Sequence, residues 1–331
     1  MKFIRYTKKI IKILLLAMLF GIIYSLFFTV YENIKVDSMI STFKKRAGND
    51  PVLVLNIEDE YVRKYWEVPR ETFDEINDKK NVFEDEEKQM LGRYGDIFAT
   101  RQSPFPNVWG FHQFMSYYYG GHAAIKSEST KESGKKEKFV EATGYPNSDE
   151  SIFDIIFSNG KKGHGFSPTA SENGYNYWYQ ADDISDNYYF EKFYRSRYIG
   201  LRVKNPFINE NNADALYNNY LDLAVDRARE KIDNDALYNF LFFLNMRRKY
   251  YCTDFVSRVY EEAYYSAVLG DDNYRSTGYA KKLNDDGFIT SVNDLILSND
   301  TYIHFYVEIN EEIYDGNKTI VQNIYYLEDI E

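Results

Sequence analysis

Nineteen consecutive residues without a charge, Ile13 to Tyr31 (ILLLAMLFGIIYSLFFTVY), constrain this chain more than any other feature. Coiled as a helix at about 1.5 Å per residue, such a run covers the roughly 30 Å hydrocarbon core of a bilayer. Met1 to Lys12 carries Lys2, Arg5, Lys8, Lys9 and Lys12 and no acid. A cleavable signal has an apolar region of about 7–15 residues followed by a small-x-small site. Here the exit, TVYENIKVD, offers neither Ala-x-Ala nor a lipobox cysteine. An uncleaved anchor is therefore expected over a cleaved signal. The basic flank places the amino terminus on the cytoplasmic side and the bulk of the chain outside, in a single-pass cell-membrane arrangement.

Charge divides along the same line. The chain is −11 overall, but five of its 40 basic residues lie in the tail, leaving 35 against 51 acidic residues and a balance of −16 beyond it. That excludes a protein that lives on nucleic-acid phosphates. It also repels anionic headgroups, so the outer portion is expected to be tethered near the membrane without needing to lie on it. One cysteine excludes an intrachain disulfide and any cysteine-rich metal site. The 32 tyrosines fit a Tyr-rich codon usage or, more sharply, a sugar- or lipid-binding surface.

The expected organisation is a basic tail over 1–12, an anchor over 13–31, a juxtamembrane stalk and helical segment over 32–92, and one domain over 93–331. Lys44 to Asp50 (KKRAGND), followed by Pro51, is polar and turn-prone. Val52–Ile57 suggests a strand, and Arg70 to Gly92 a solvated helix. Gly121-His122-Ala123-Ala124-Ile125 and Phe139-Val140-Glu141-Ala142 bracket a long polar connection, Lys126 to Lys138, and read as an antiparallel pair that can make His122 and Glu141 cross-strand neighbours. Arg197–Val203 reads as a strand, Ala213–Ile232 and Lys249–Ala267 as helices, and Ser291 with Asp294 as a capping box. A hairpin closes the chain: Tyr302–Ile309, a turn at Asp315-Gly316, then Thr319–Tyr326. Residues 154–185 carry no clear pattern. Strands and helices segregate, so the fold class is α+β.

Chemistry centres on the lone cysteine, in KYYCTDFVSRVYEEAY. Apolar residues follow at Phe255, Val256, Val259, Tyr260 and Ala263, which places Cys252 in the first turn of a helix on its buried stripe. The amides and macrodipole there stabilise a thiolate. A nucleophilic thiolate needs a base, and the base needs an orienting group. Of four histidines, His122 has an acid, Glu141, placed for this. His112, His164 and His304 show no comparable partner in the sequence. Against this stands a plainer possibility, since a lone cysteine in an apolar stripe is commonly a small buried hydrophobe. Spacing alone leaves both open.

The order GDIF, GHAAI, FVEA, YIGLRV, LYNFLF, YYCTDFVSRVYEEAY resembles the circularly permuted papain-like cysteine hydrolases, the YiiX-like branch of the NlpC superfamily. The matching positions are Gly95-Asp96-Ile97, His122, Glu141, Tyr238-Asn239-Phe240 and Cys252. The likeness spans roughly Arg93 to Asp300. It departs at Thr253-Asp254, where the family has Ser-Glu, and in a long loop between the His and Glu strands. The resemblance implies an antiparallel sheet packed against helices and a Cys252–His122–Glu141 triad forming a thioester. It implies no metal or organic cofactor, and a peptide, peptidoglycan-like or lipid/acyl substrate in the cell envelope. The alternatives are an acyltransferase on the same fold and a catalytically silent lipid- or peptide-binding module.

Overall fold

The computed structural model describes residues 2–57, 60–102, 121–128, 137–143, 170–172, 176–181, 193–234, 236–239, 245, 248–285 and 289–330. The turn at Pro104 and Pro106, the aromatic stretch 109–119, His112, His164 and Phe240 lie outside them. In chain order the elements are helix α1 (Lys2–Arg46), strands β1 (Leu53–Ile57) and β2 (Tyr61–Val68), helix α2 (Phe73–Asn77), strands β3 (Ile97–Thr100), β4 (His122–Glu128), β5 (Lys138–Glu141), β6 (Ala170–Glu172) and β7 (Arg197–Val203), helix α3 (Ala213–Asp233), strands β8 (Leu237–Tyr238) and β9 (Lys249–Tyr250), helices α4 (Cys252–Leu269) and α5 (Val292–Leu297), and strands β10 (Thr301–Tyr314) and β11 (Asn317–Leu327).

Nine strands form one sheet in the order β1-β2-β11-β10-β7-β3-β4-β5-β6, antiparallel throughout except where β2 runs parallel to β11. The protein is thus a mixed α+β fold with a large, mostly antiparallel sheet. Helices α3 and α4 pack on each other, and α4 lies across β4 and β5. On α3 the buried residues Tyr217, Tyr220, Leu221, Ala224, Val225 and Ala228 recur at three- and four-residue steps, the stripe a surface helix turns toward a sheet. Tyr260 on α4 donates its hydroxyl to the Gly95 carbonyl, tying that helix to the entry of β3.

An aromatic cluster fills the core. The Phe98 ring lies 5.0 Å from those of Phe139 and Phe305, in edge-on geometry. Phe305 occupies the space over Gly200, where an added Cβ would come within 2.1 Å of its ring. Tyr65, Tyr179, Tyr198, Tyr220, Tyr260 and Tyr326 are buried in the same interior. Much of the tyrosine excess therefore serves packing, where each ring contributes area and its hydroxyl seeks a partner.

Two expectations need correction. Residues 32–50 are not a loose stalk. Helix α1 continues unbroken to Arg46, and from Thr29 onward one face of it is buried at Thr29, Glu32, Asn33, Val36 and Phe43. Arg46 donates to both Glu75 carboxylate oxygens, and Lys44 pairs with Glu308 at 2.5 Å. The segment 70–92 is not a long helix either: it holds only the five-residue α2, started by a Thr72/Glu75 capping box. Its backbone carbonyls at Glu75, Asp78 and Lys80 are taken up by Arg70. Side-chain cations do here what a helix ladder would have done. Strands β1 and β2, within the span expected as stalk and helix, belong to the main sheet.

The other elements follow the expected pattern with two shifts: β4 runs on through Lys126 to Glu128, and the helix expected from Lys249 starts at Cys252, after the short strand β9. Helices appear at Ala213–Asp233 and Cys252–Leu269, and the Ser291/Asp294 capping box is formed. The closing hairpin turns at Asp315 and Gly316, both at positive φ. Helix α1 contains a segment long and apolar enough to cross a membrane.

Candidate functional site

Strand β4 begins at His122, and its entry is fixed by the residue before it. Gly121 donates its N–H to the Thr100 carbonyl at 2.9 Å. A Cβ at that position would come within 1.7 Å of the Gln102 carbonyl oxygen, so only glycine lets the two backbones approach this closely. His122 pairs with Thr100 on β3, and Ala124 pairs with Glu141 on β5. His122 and Glu141 are thus diagonal rather than directly opposite neighbours on one face, within reach of side chains of this length. The carboxylate Oε2 meets the ring Nε2 at 2.6 Å.

The sulfur arrives from the other layer. Tyr251, in extended conformation, starts α4, and its side chain does not cap the helix. Thr253 donates to the Thr290 carbonyl at 2.5 Å, and the Tyr251 hydroxyl accepts from the Thr290 amide at 3.0 Å. These contacts pin the helix start. The Cys252 side chain lies close enough to the His122 ring to act on its charge, as Glu141 does from the other side. Since Glu141 takes Nε2, the ring atom left for the sulfur is Nδ1. Cys252 retains 7% of its exposure and His122 6%.

Two buried histidines show how that environment decides charge. Around His122, burial opposes the protonated ring, but hydrogen bonds to Cys252 and Glu141 and the charges they carry overcome it, lifting its pKa to about 9. His304 also has an acid nearby, Asp96 at 3.1 Å, a partner that spacing did not reveal. There the geometry is not that of a hydrogen bond, and neither ring nitrogen finds a partner among the described residues. Burial wins, helped by the Arg202 charge and only partly countered by Asp96, and the His304 pKa falls to about 3. His122 is built to hold a proton and His304 to lack one.

A pH measurement follows. A histidine whose pKa is raised on folding contributes stability that is full below its unfolded value and is lost as pH rises through the folded one. In a side-chain NMR titration the His122 ring is expected to deprotonate near pH 9. Glu141→Gln removes a hydrogen bond and a charge that favour the cation and moves the midpoint down. A midpoint in the ordinary histidine range for the unmodified protein contradicts the pairing.

Three aromatic residues complete the surroundings, and none was singled out from the sequence. The Tyr177 hydroxyl donates to Glu141 Oε2 at 2.5 Å. Burial, and then the Glu141 charge, raise the Tyr177 pKa well above the phenol range, so it stays a donor. The Trp178 ring stacks nearly parallel to His122, 5.8 Å away and 5° from coplanar, and Tyr194 meets the same imidazole edge-on at 6.3 Å. These rings come from segments 36 to 72 positions away from the strands they cover. No local periodicity links them to the strands they cover.

Gly95 and Asp96, which carry part of the resemblance, have structural roles. Gly95 sits at φ +84° with the Leu221 side chain packed on it. Asp96 receives Arg202 Nε and Nη2 at 2.8 and 2.7 Å, and its carboxylate also accepts the Arg93 amide.

No family model, no curated protein and no solved structure matches the chain. What the site can do rests on its own geometry. It offers a sulfur at a helix start, an imidazole beside it, a carboxylate on the far ring nitrogen and a phenol on that carboxylate. This is an arrangement able to move one proton between a thiol and a bound group.

Proposed function

We propose that the protein is a membrane-anchored thiol hydrolase of permuted papain-like fold, cutting an acyl or amide bond in the cell envelope. The observation that carries this reading is the His122 ring, held by Glu141 at 2.6 Å and close enough to the Cys252 side chain for the sulfur to raise its proton affinity. With the proton of the pair already held on His122, Cys252 Sγ attacks the substrate carbonyl carbon. The electron pair of the carbonyl moves onto oxygen, next to the Cys252 amide at the helix start. When the tetrahedral adduct collapses, the imidazolium gives its proton to the departing amine or alcohol, and a thioester remains on the sulfur. Water then attacks that thioester with His122 as base, releasing the acid and restoring the Cys252–His122 pair with its proton on the ring. Glu141 holds the imidazole orientation and stabilises the cation, and Tyr177 keeps that carboxylate in place.

The basic residues ahead of the apolar run support a cytoplasmic amino terminus and an extracytoplasmic domain. Candidate substrates are a peptide, a peptidoglycan-like peptide or a lipid-borne acyl group. The test is labelling of wild type and Cys252→Ala with a thiol-directed acylating probe. The wild type is expected to take one label per chain and the variant none; equal labelling of the two overturns the nucleophile assignment.

A further inference from the structure

The way α1 joins the domain constrains where the Cys252–His122 pair can work. Two independent contacts tie that end of the fold to the turns of α1 that follow the apolar run. Arg101 is the residue after Thr100, the strand partner of His122. Its guanidinium donates to Asp37 Oδ1 at 2.5 Å and to the Asn33 side-chain carbonyl. On the Cys252 side, Thr253 is bound to Thr290, and Thr290 leads into the Ser291–Asp294 capping box. The helix that box starts, α5, packs against α1.

Counted from Tyr31, the last residue of the uncharged run, Glu32, Asn33 and Asp37 lie about 1.5, 3 and 9 Å further along the helix axis. Burial begins earlier still, at Thr29. The domain therefore begins where the apolar segment ends, with no linker between. Lys44–Glu308 and Arg46–Glu75 fasten the far end of the same helix, and Val36 and Phe43 are sealed beneath it. Such a helix is a rigid mount. It sets both the height and the orientation of an acidic domain that anionic headgroups alone would push away.

We infer that α1 holds the Cys252–His122 end of the fold at the membrane surface, so that the substrate is an amphiphile embedded in the same bilayer, presenting its acyl bond at headgroup level. This rests on the thiol-hydrolase reading for its chemistry and on α1 crossing the membrane for its geometry. It selects the lipid-borne acyl group from the candidate substrates. A bond in a wall peptide well beyond the headgroups lies out of reach of a site on a stiff mount. The reaction is the one written above: the acyl carbonyl passes from its alcohol or amine to Cys252 Sγ and then to water.

The test displaces the domain without touching it. Seven alanine-rich residues inserted between Phe28 and Thr29 add about two helical turns, or 10 Å, close to rotational register. The α1–domain contacts named above all lie beyond the insertion. Full-length protein in phosphatidylcholine vesicles is assayed on p-nitrophenyl palmitate in the bilayer and on p-nitrophenyl acetate in water. The insertion is expected to lower turnover of the palmitoyl ester by about tenfold or more, because reacting groups tolerate little misplacement, while the acetyl ester is cut at the wild-type rate. Equal turnover of the palmitoyl ester by both proteins overturns the inference.

If the wild type cuts neither ester, the hydrolase reading fails and the substrate assignment fails with it. The mount is then judged separately. In a Trp66→Phe, Trp109→Phe background Trp178, stacked on His122, is the remaining indole. Its energy transfer to dansyl-labelled headgroups is expected to drop on insertion. Unchanged transfer overturns the placement.

Discussion

His122→Ala and Cys252→Ala are each expected to lower hydrolysis of an activated acyl ester by about 10³-fold or more, and the double variant by no more than the worse single one. The reason is that the two side chains form one device. Cys252 without its ring neighbour loses both the proton acceptor and the cation that stabilises a thiolate. His122 without the sulfur has nothing to activate. Glu141→Gln should be milder, since it loosens and discharges the partner of the imidazole without removing either reacting group. Steady-state kinetics on the wild type and the four variants, with circular dichroism to confirm folding, check this. Losses that multiply in the double variant would mean that the two residues act independently.

Arg202→Met is expected to destabilise the fold by about 3–5 kcal/mol, because it leaves buried carboxylates without their counter-charge. Arg202 reaches Asp96 through two nitrogens and Asp78 Oδ2 at 2.6 Å, and is itself only 1% exposed. Burial alone would push the Asp96 carboxyl up; the charge and hydrogen bonds of Arg202 and the hydrogen bond from the Arg93 amide pull it down to about 2. The sign of the linkage is that of a depressed acid: its contribution is present above the unfolded carboxylate value near 3.8 and fades as pH falls toward 2. In the variant the carboxyl can instead take up a proton as the medium is acidified. The stability gap measured by urea unfolding should therefore be wide at pH 7 and narrower at pH 3. A gap that is small at pH 7, or constant with pH, would contradict the role given to Arg202. The consequence reaches the site, because Asp96 adjoins Gly95, and the Gly95 carbonyl receives Tyr260 from the helix that begins at Cys252.

What was legible in the sequence was local. The Cys252 helix declares itself through Phe255, Val256, Val259, Tyr260 and Ala263, whose spacing needs no knowledge of the rest of the fold. The Glu141 strand could be set beside the His122 strand because both short runs flank a polar connection. The register differs by two positions, so the contact is diagonal, but side-chain alternation kept both residues on one face. The resemblance placed the same three residues in one site, and the structure brings them together; the permuted papain-like architecture stays part of the proposal.

What was not legible was long-range or polar. The buried face of α1 includes Thr29, Glu32 and Asn33, residues that look solvated in a sequence, so a rigid mount passed for a stalk. The parallel pairing of β2 with β11 joins residues some 260 positions apart. The charged segment 70–92 looked like a solvated helix because its carbonyl partners, Arg70 and Arg202, are side chains rather than a ladder. Tyr177 and Trp178 reach the site from a stretch with no periodicity at all.

The most direct measurement is the location of the acyl group during turnover. Wild-type protein is mixed with an excess of p-nitrophenyl acetate, quenched in acid within the first turnovers and digested for peptide mapping by mass spectrometry. The acetyl group is expected on the peptide containing Cys252, removable by neutral hydroxylamine as a thioester is, and absent from Cys252→Ala. An acetyl group found elsewhere, or carried equally by both proteins, would contradict a thioester at Cys252.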